Sequence, residues 1–98
     1  MSLRKGRFWV YIVECRDKTF YTGYTIDLPG RMAAHNTGKG AKYTRQRRPV
    51  RLVWSKEYGR LTDALKAEKS VQSLTRKDKQ LLVSGVSPEK GAREYLKR

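Results

Sequence analysis

The sequence predicts an α+β domain, a three-stranded antiparallel sheet flanked by helices in the order ββαβαα. Two segments rich in aromatic and β-branched residues, 8–15 and 20–25, are separated by a short polar turn and indicate a β-hairpin. A third strand-like segment and several segments that begin at helix-capping residues follow. The length of 98 residues suits one domain. We expect this domain to span residues 1–85, followed by a basic, loosely ordered tail at residues 86–98.

The first strand of the hairpin is expected to be central in the sheet. Residues 8–15 carry apolar side chains at both alternating positions, which is typical of a strand covered on both faces. A connecting loop with an odd number of residues, for example 17–19, places Tyr11 and Tyr21 on one face and pairs Cys15 with Tyr21. On strand pattern alone, packing is the favoured role for a tyrosine, and for Tyr11 by itself it is the preferred explanation.

The middle of the chain is predicted to contain a helix, a loop and the third strand. Asp27 is a good N-cap for a helix over residues 28–36, and Gly38 is a suitable residue to end it. Residues 36–49 are rich in lysine and arginine and are expected to form a basic loop. Alternating apolar residues over 50–58 predict the last strand.

Two helices are predicted after the third strand. Thr62 is expected to cap a long helix over residues 63–74. Thr75 and Asp78 form a possible capping box for a shorter helix that continues to residue 83.

The charge of the chain is strongly one-sided, with 23 Lys+Arg against 9 Asp+Glu and a net charge of +14. Such an excess favours polyanionic partners, and we favour nucleic acid over an anionic membrane surface. No apolar run approaches the roughly 18 residues of a membrane span, and no signal peptide is visible. The single cysteine and single histidine exclude an internal disulfide and a Cys/His zinc site. We therefore expect a cytoplasmic protein, and the sequence gives no indication of protein partners.

A carboxylate lies on the apolar face of the predicted long helix. Glu68 follows Ala64 by four positions and precedes Val71 by three, inside the arc that faces the core. A carboxylate there costs several kcal/mol if it has no partner. The helix pattern alone favours an ion pair with a neighbouring arginine, and the functional alternative is a metal ligand in a cleft.

The first helix also directs charged side chains toward the sheet. Arg31 and His35 are four positions apart and share one helix face. A lone histidine beside an apolar face is usually a packing residue. Gly23, inside the second strand, indicates close approach of another group to the backbone. An arginine, a histidine and Glu68 that converge on one region make a candidate site.

Two short motifs carry a family resemblance. The segments WVY (residues 9–11) and YTG (residues 21–23) resemble the motifs of the GIY-YIG endonuclease family, a tripeptide ending in tyrosine and a Tyr-x-Gly. The resemblance covers about residues 7–83 and is greatest with small stand-alone bacterial members. Trp9 replaces the first glycine of the family motif and adds bulk near the site. The matched residues are Tyr11, Tyr21, Gly23, Arg31, His35 and Glu68.

The resemblance implies hydrolysis of phosphodiester bonds with one divalent cation, Mg²⁺ or Mn²⁺, held by Glu68. Arg31 would grip the non-bridging phosphate oxygens, and Tyr21 would orient the water or a phosphate oxygen. Either Tyr11 or His35 could be the general base. The family favours the tyrosine, whereas the ordinary pKa of histidine is better suited to the task.

The basic loop is a candidate nucleic-acid-binding segment. Its alternatives are a solvated charged loop and a surface that contacts the substrate backbone. No helix carries an evident base-reading pattern, so selectivity for the shape of the substrate is favoured over sequence specificity. The residues concerned are Lys39, Lys42, Tyr43, Arg45, Arg47 and Arg48.

The leading functional prediction is a metal-dependent endonuclease that acts on DNA, with branched, flapped or damaged DNA as candidate substrates. DNA is favoured over RNA as the partner, although the sequence does not decide between them. The alternative is a catalytically weak or inactive module that binds DNA or RNA. A third reading is a small basic structural protein in which Glu68 is paired with an internal arginine.

Overall fold

The computed structural model describes residues 7–85 and confirms the predicted α+β class and the three-stranded antiparallel sheet. One short helix lies within the segment that was predicted to be a loop. No helix in the described range has the length and apolarity that a membrane crossing requires. The elements are β1 (Phe8–Glu14), β2 (Phe20–Thr25), α1 (Leu28–Asn36), α2 (Lys42–Arg45), β3 (Arg51–Tyr58), α3 (Leu61–Gln72) and α4 (Arg76–Val83).

Strand β1 is central, as predicted, and the order across the sheet is β2-β1-β3. Both neighbours run antiparallel to it. Because side chains alternate along a strand, β1 supplies both faces of the sheet. Val10 and Ile12 face one side, whereas Tyr11 and Val13 face the other, and none of the four is exposed to solvent.

The hairpin loop is odd, as predicted, but it consists of residues 16–18 rather than 17–19. Cys15 faces Thr19 across the turn, and its N–H donates to the Thr19 carbonyl at 2.8 Å. The Asp17 carboxylate accepts hydrogen bonds from the Thr19 hydroxyl at 2.6 Å and from its N–H at 3.2 Å. Thr19 is therefore held at the start of the returning strand, and Lys18 turns the chain with a φ of 71°. The predicted pairing of Cys15 with Tyr21 is wrong.

The register nevertheless places the two site tyrosines on one face of the sheet. Tyr11 pairs with Gly23, and Val13 pairs with Tyr21. A shift of two residues preserves the face of every side chain, whereas a shift of one would have reversed it.

The two faces of the sheet are covered by different helices. Helices α3 and α4 pack on the face of Val10 and Ile12, where Ala64, Ala67 and Val71 join the main hydrophobic core. Full burial of a valine or isoleucine side chain contributes about 1.5–3 kcal/mol. Helix α1 covers the opposite face, where Leu28 and Met32 pack against Tyr11, Val13, Cys15 and Val50.

The helix ends test the capping predictions. Asp27 caps α1 as predicted, because its side chain accepts a hydrogen bond from the Gly30 N–H at 3.1 Å. Thr75 caps α4 as predicted, through the Asp78 N–H at 3.1 Å. The predicted role of Thr62 is wrong.

Helix α3 begins one residue before Thr62 and ends two residues before the predicted end. Arg60 is its N-cap, with extended backbone, and the Arg60 carbonyl accepts the first helical hydrogen bond from Ala64 at 3.1 Å. No side chain caps this helix. The predicted tail at residues 86–98 lies outside the described residues.

Candidate active site

The hydroxyl of Tyr11 lies at the centre of the site, held in place by the central strand. It is 2.8 Å from Nε2 of His35 on α1. Arg31, one turn earlier on the same helix, donates from Nε to the Tyr11 oxygen at 3.3 Å. The two helical residues that share a face in the sequence therefore converge on one phenolic oxygen.

A threonine on the short helix α2 completes a chain of hydrogen bonds. The Thr44 hydroxyl donates to the Ala41 carbonyl at 3.0 Å, and its oxygen lies 2.8 Å from Nδ1 of His35. Because the threonine hydrogen is already used, Nδ1 of His35 carries the proton and donates it to Thr44. The unprotonated Nε2 then accepts the hydroxyl hydrogen of Tyr11. Arg31 can only donate, so its hydrogen bond to the Tyr11 oxygen agrees with this order, in which each group donates to the next from Arg31 to Thr44.

The pKa values of the two groups in this chain are shifted by burial. His35 and Tyr11 are both 0% exposed. Burial lowers the pKa of His35 below its usual 6.5, and the nearby Arg31 cation lowers it further. Burial also raises the pKa of Tyr11, against the opposing effect of the hydrogen bond from Arg31. At neutral pH the imidazole is therefore a neutral acceptor and the phenol is protonated.

Two glycines allow the close packing around these side chains. A Cβ atom at Gly23 would lie 2.6 Å from the Tyr11 oxygen and 3.2 Å from the Tyr21 ring. A Cβ atom at Gly40 would clash with Nδ1 of His35 and would lie 2.8 Å from its Cα. The sequence singled out Gly23 for close approach but not Gly40, whose only signal was its place in a loop after the helix.

Tyr21 lies beside the imidazole on the same sheet face as Tyr11. Its ring meets His35 edge-on, with ring centroids 5.5 Å apart, and lies nearly parallel to the ring of Tyr43 at 6.0 Å. Tyr21 is partly exposed, whereas Tyr11 and His35 are buried. Tyr21 and Arg31 are thus the members of this group that solvent reaches in part.

Glu68 approaches the site from α3. It is partly buried, and its carboxylate accepts a hydrogen bond from Nε2 of Gln72 at 3.4 Å. Burial raises the pKa of its carboxyl group, and its charge contributes to the raised pKa of Tyr11. The charge of Glu68 therefore acts on the same centre as Arg31 and His35.

The ion pair that the helix pattern favoured for Glu68 is absent from residues 7–85. The three ion pairs found there join Arg7 to Glu57, Arg47 to Asp17 and Arg51 to Glu14. The described residues also contain no cluster of three or more metal-binding side chains. A partly buried carboxylate with no cation paired to it among the described residues suits a divalent cation that keeps several waters and needs few protein ligands.

The basic loop contains both fixed and free cations. Arg47 pairs with Asp17 at 3.1 Å and lies over the Tyr43 ring at 3.9 Å. Arg48 donates to the Arg45 carbonyl at 2.8 Å, so it also holds the loop together. Lys39 and Lys42 are exposed. A surface pocket of about 520 Å³ adjoins the loop and is lined by Arg16, Asn36, Arg45, Gln46, Arg48 and Pro49.

Comparison with known proteins identifies the family of the chain. The model of the GIY-YIG catalytic domain matches residues 7–81. The UPF0213 protein YazA of Bacillus subtilis is 47% identical over 81 residues, which cover 83% of this chain and 82% of YazA. The UPF0213 protein HQ_3675A of Haloquadratum walsbyi is 50% identical over 74 residues, covering 76% of this chain and 83% of that protein.

Two solution NMR structures are similar to the chain. That of the UPF0213 protein BH0048 from Bacillus halodurans has 46% identity and a TM-score of 0.53, covering 80% of this chain and 83% of its own. That of EF2693 from E. faecalis has 38% identity and a TM-score of 0.58, covering 83% and 86%. The resemblance predicted from the two tyrosine motifs is confirmed, and with it a domain of nuclease type. The chain belongs to the GIY-YIG family.

Proposed function

We propose that the protein is a divalent-metal-dependent endonuclease that hydrolyses phosphodiester bonds in DNA in the cytoplasm. The observation that carries the proposal is the directional hydrogen-bond chain from Thr44 through His35 to Tyr11, with Arg31 on the same phenolic oxygen. A packing role for Tyr11 would require neither the paired imidazole nor the arginine.

The chain of hydrogen bonds provides a path for the proton of the attacking water. Both ring nitrogens of His35 are already hydrogen-bonded, Nε2 to Tyr11 and Nδ1 to Thr44, so the imidazole is poorly placed to accept that proton directly. The water would give its proton to the Tyr11 oxygen while Tyr11 gives its own proton to Nε2 of His35. The imidazole becomes positively charged, and the hydroxide adds to the phosphorus while the bond from phosphorus to the leaving oxygen breaks. The leaving oxygen then takes a proton from bulk water. This concerted transfer avoids a free phenolate, which burial disfavours.

Arg31 would have two roles in this scheme. Its planar guanidinium can bind the non-bridging oxygens of the phosphate as negative charge develops. In the described structure the same side chain lies against the Tyr11 oxygen. Binding of a phosphate by Arg31 is therefore expected to draw it outward and to uncover Tyr11 for water. Tyr21, at the exposed side of His35, would orient the phosphate or the water.

Glu68 is the residue that would hold the cation, Mg²⁺ or Mn²⁺. When bound, such an ion polarises a phosphate oxygen and stabilises the leaving oxygen. Without a cation, the Glu68 carboxylate would repel the phosphate that Arg31 attracts. The exposed lysines of the basic loop would add backbone contacts whose affinity falls steeply with salt.

Cleavage of labelled DNA tests the proposal. Single-stranded, flapped, branched and paired substrates are incubated with Mg²⁺ or Mn²⁺ and wild-type protein, Arg31→Ala or Glu68→Gln. We expect Arg31→Ala to slow cleavage by roughly 10²–10³-fold, the typical effect of removing one transition-state donor, and Glu68→Gln to abolish it. Glu57→Gln is the matched control, because it removes an exposed carboxylate on β3. Cleavage that survives both site substitutions would overturn the proposal.

The burial of Tyr11 and His35 favours one alternative, a nucleic-acid-binding module without useful activity. This module would keep the charge and the fold but would need no cation. Salt-dependent binding that a chelator leaves unchanged, with no cleavage of any substrate in the panel, would establish it. RNA versions of the same substrates decide between DNA and RNA.

A further inference from the structure

We propose that a pocket at the edge of β2 binds one nucleobase that has left the base stack, next to the phosphate held at Arg31. This inference rests on the proposed function and defines its substrate class as nucleic acid with an unpaired base. The pocket has a volume of about 270 Å³ and lies between the edge strand, the basic loop and helices α3 and α4. Its lining residues are Phe20, Tyr21, Thr22, Tyr43, Gln72 and Lys79.

Aromatic rings form three parts of the pocket wall. Tyr43 is 38% exposed and lies nearly parallel to Tyr21, with an interplanar angle of 21°. The Arg47 guanidinium over Tyr43 holds that ring in place. Phe20 lines the pocket beside Tyr21, and the Arg76 guanidinium lies 5.1 Å from its ring centroid. Aromatic side chains flanked by cations are what proteins use to stack single-stranded bases and to hold their phosphates.

Polar groups complete the wall with both an acceptor and a donor. Nε2 of Gln72 donates to the Thr22 carbonyl and to Glu68, each at 3.4 Å, which leaves the amide oxygen of Gln72 as an acceptor. Lys79 supplies an ammonium donor and is partly buried. The edge of a nucleobase presents donors and acceptors that such a pair can match.

A buried hydroxyl in the same wall has no partner. Oγ1 of Thr22 makes no hydrogen bond within the described part of the chain. An unsatisfied buried hydroxyl is unfavourable for the fold, and such groups are found more often at functional sites than in simple cores.

The pocket is connected to the proposed reaction centre through two of its residues. Tyr21 contacts His35, and Gln72 is hydrogen-bonded to Glu68. A base in this pocket would therefore belong to a nucleotide adjacent to the phosphate under attack. The volume is below the roughly 300–1,000 Å³ of sites for drug-sized ligands, so it suits a single base and not a base pair. A base that is already unpaired enters at the least cost in lost stacking.

The test compares labelled DNA duplexes that differ at one position, measured by fluorescence anisotropy in a chelator so that no cleavage occurs. One duplex carries a single bulged thymine, the second has an abasic residue in the same bulge, and the third is fully paired. We expect wild-type protein to bind the bulged thymine roughly 5- to 100-fold more tightly than the abasic bulge, the effect of one base–aromatic stack.

Variants connect this preference to the pocket. Tyr43→Leu is expected to bring the ratio of the affinities for the bulged and abasic duplexes close to one, and a general loss of backbone affinity cancels in this ratio. Tyr24→Leu is the matched control, since Tyr24 is an exposed tyrosine on β2 outside the pocket, and it should retain the preference.

The outcomes distinguish failure of the pocket proposal from failure of the proposed nuclease function. Equal affinity of the wild-type protein for the thymine and abasic bulges would overturn the pocket, even if the protein cleaves DNA. A preference that Tyr43→Leu retains would also overturn it, because the base would then bind elsewhere. Failure to cleave, with the preference present and lost in Tyr43→Leu, would instead support the pocket and leave the binding module as the function.

Discussion

The two faces of the sheet differ in what they bury, although one strand supplies both. The face under α3 and α4 is an apolar core of Phe8, aliphatic side chains and alanines, with Tyr58 as its polar member. The face under α1 and α2 buries Tyr11, His35 and Thr44 completely, and joins them by hydrogen bonds. The first face stabilises the fold through area removed from water, and the second does so only while every polar group keeps its partner.

The difference explains how adjacent residues can have separate roles. Tyr11 and Ile12 are neighbours in β1 and both are 0% exposed. Ile12 is replaceable by any side chain that fills its volume, whereas the Tyr11 oxygen makes contacts with two other side chains. A polar core of this kind is costly to maintain, which is typical of functional sites.

The largest expected effect on cleavage is that of a substitution at Tyr11, and a substitution at its neighbour Ile12 is the control. Tyr11→Phe should reduce the cleavage rate by about 10²–10⁴-fold, the usual contribution of a general base. It also leaves Nε2 of His35 without a donor, at a cost of about 1–3 kcal/mol. Ile12→Val should cost about 0.5–1.5 kcal/mol and leave the rate per folded molecule unchanged. Cleavage kinetics and urea unfolding measure both; equal rates for Tyr11→Phe and wild type would exclude the proton path.

Thr44 tests whether the direction of the hydrogen-bond chain matters. Thr44→Val keeps the shape but removes the acceptor that holds the proton on Nδ1 of His35, so the imidazole can adopt the wrong tautomer. We expect a rate loss of about 10- to 100-fold, a part of the general-base contribution. Thr44→Ser should restore most of the rate.

The readout that separates positioning from stability is the tautomer itself. Nitrogen NMR of His35 should report a proton on Nδ1 in wild type and Thr44→Ser, and a mixture in Thr44→Val. A wild-type imidazole protonated on Nε2 would contradict the direction of the chain.

Glycine substitutions compare a crowded position with an open one. Gly23→Ala would place a methyl group 2.6 Å from the Tyr11 oxygen, so the tyrosine must shift. Overpacking of this kind typically costs about 1–3 kcal/mol, and cleavage should fall with the displaced hydroxyl. Gly59→Ala is the control, because its added Cβ atom meets nothing within 4 Å. Thermal unfolding that ranks the two variants equally would show that close approach at Gly23 is unimportant.

The two faces should also differ in their response to pH. Burial keeps the pKa of His35 below its unfolded value of 6.5, so the unfolded state binds a proton first. The stability that neutral His35 provides is full above pH 6.5 and declines as the pH falls toward the folded pKa. Cleavage should decline in the same acidic range, because a protonated His35 cannot accept from Tyr11.

Tyr58, in the apolar core, has the opposite dependence. Burial raises its pKa to about 12 from 10.0, so the unfolded state loses its proton first, and stability falls as the pH rises above 10.0 toward about 12. Urea unfolding from pH 5 to 11 tests both limits, with His35→Gln and Tyr58→Phe as the variants. An acid limit that His35→Gln leaves unchanged would contradict the assignment to His35.

Patterns within short segments were enough for several features of the site. Neighbours close in sequence decide the odd number of residues in the hairpin loop and the caps at Asp27 and Thr75. They also decide that Arg31 and His35 share a helix face. The two tyrosine motifs also led to the correct family. The roles of the site residues and the nucleic-acid contacts of the basic loop stay predictions until the experiments above are made.

Other features depend on contacts between distant segments, and the sequence alone did not predict them. Helix α2 has four residues, too few for intrinsic propensity to indicate a helix. The helix pattern alone favoured an arginine partner for Glu68, but no segment in residues 7–85 brings a cation to it.

The sequence by itself determined the three strands, the three longer helices, the faces of their side chains and the family, because these follow from periodicity, capping and motif order. Only the tertiary structure decided that Thr44 meets His35, that Gly40 makes room for it and that Tyr11 is fully buried. Hydrogen bonds and burial between segments depend on how the helices pack on the sheet. The conformational preferences of short segments do not determine that packing.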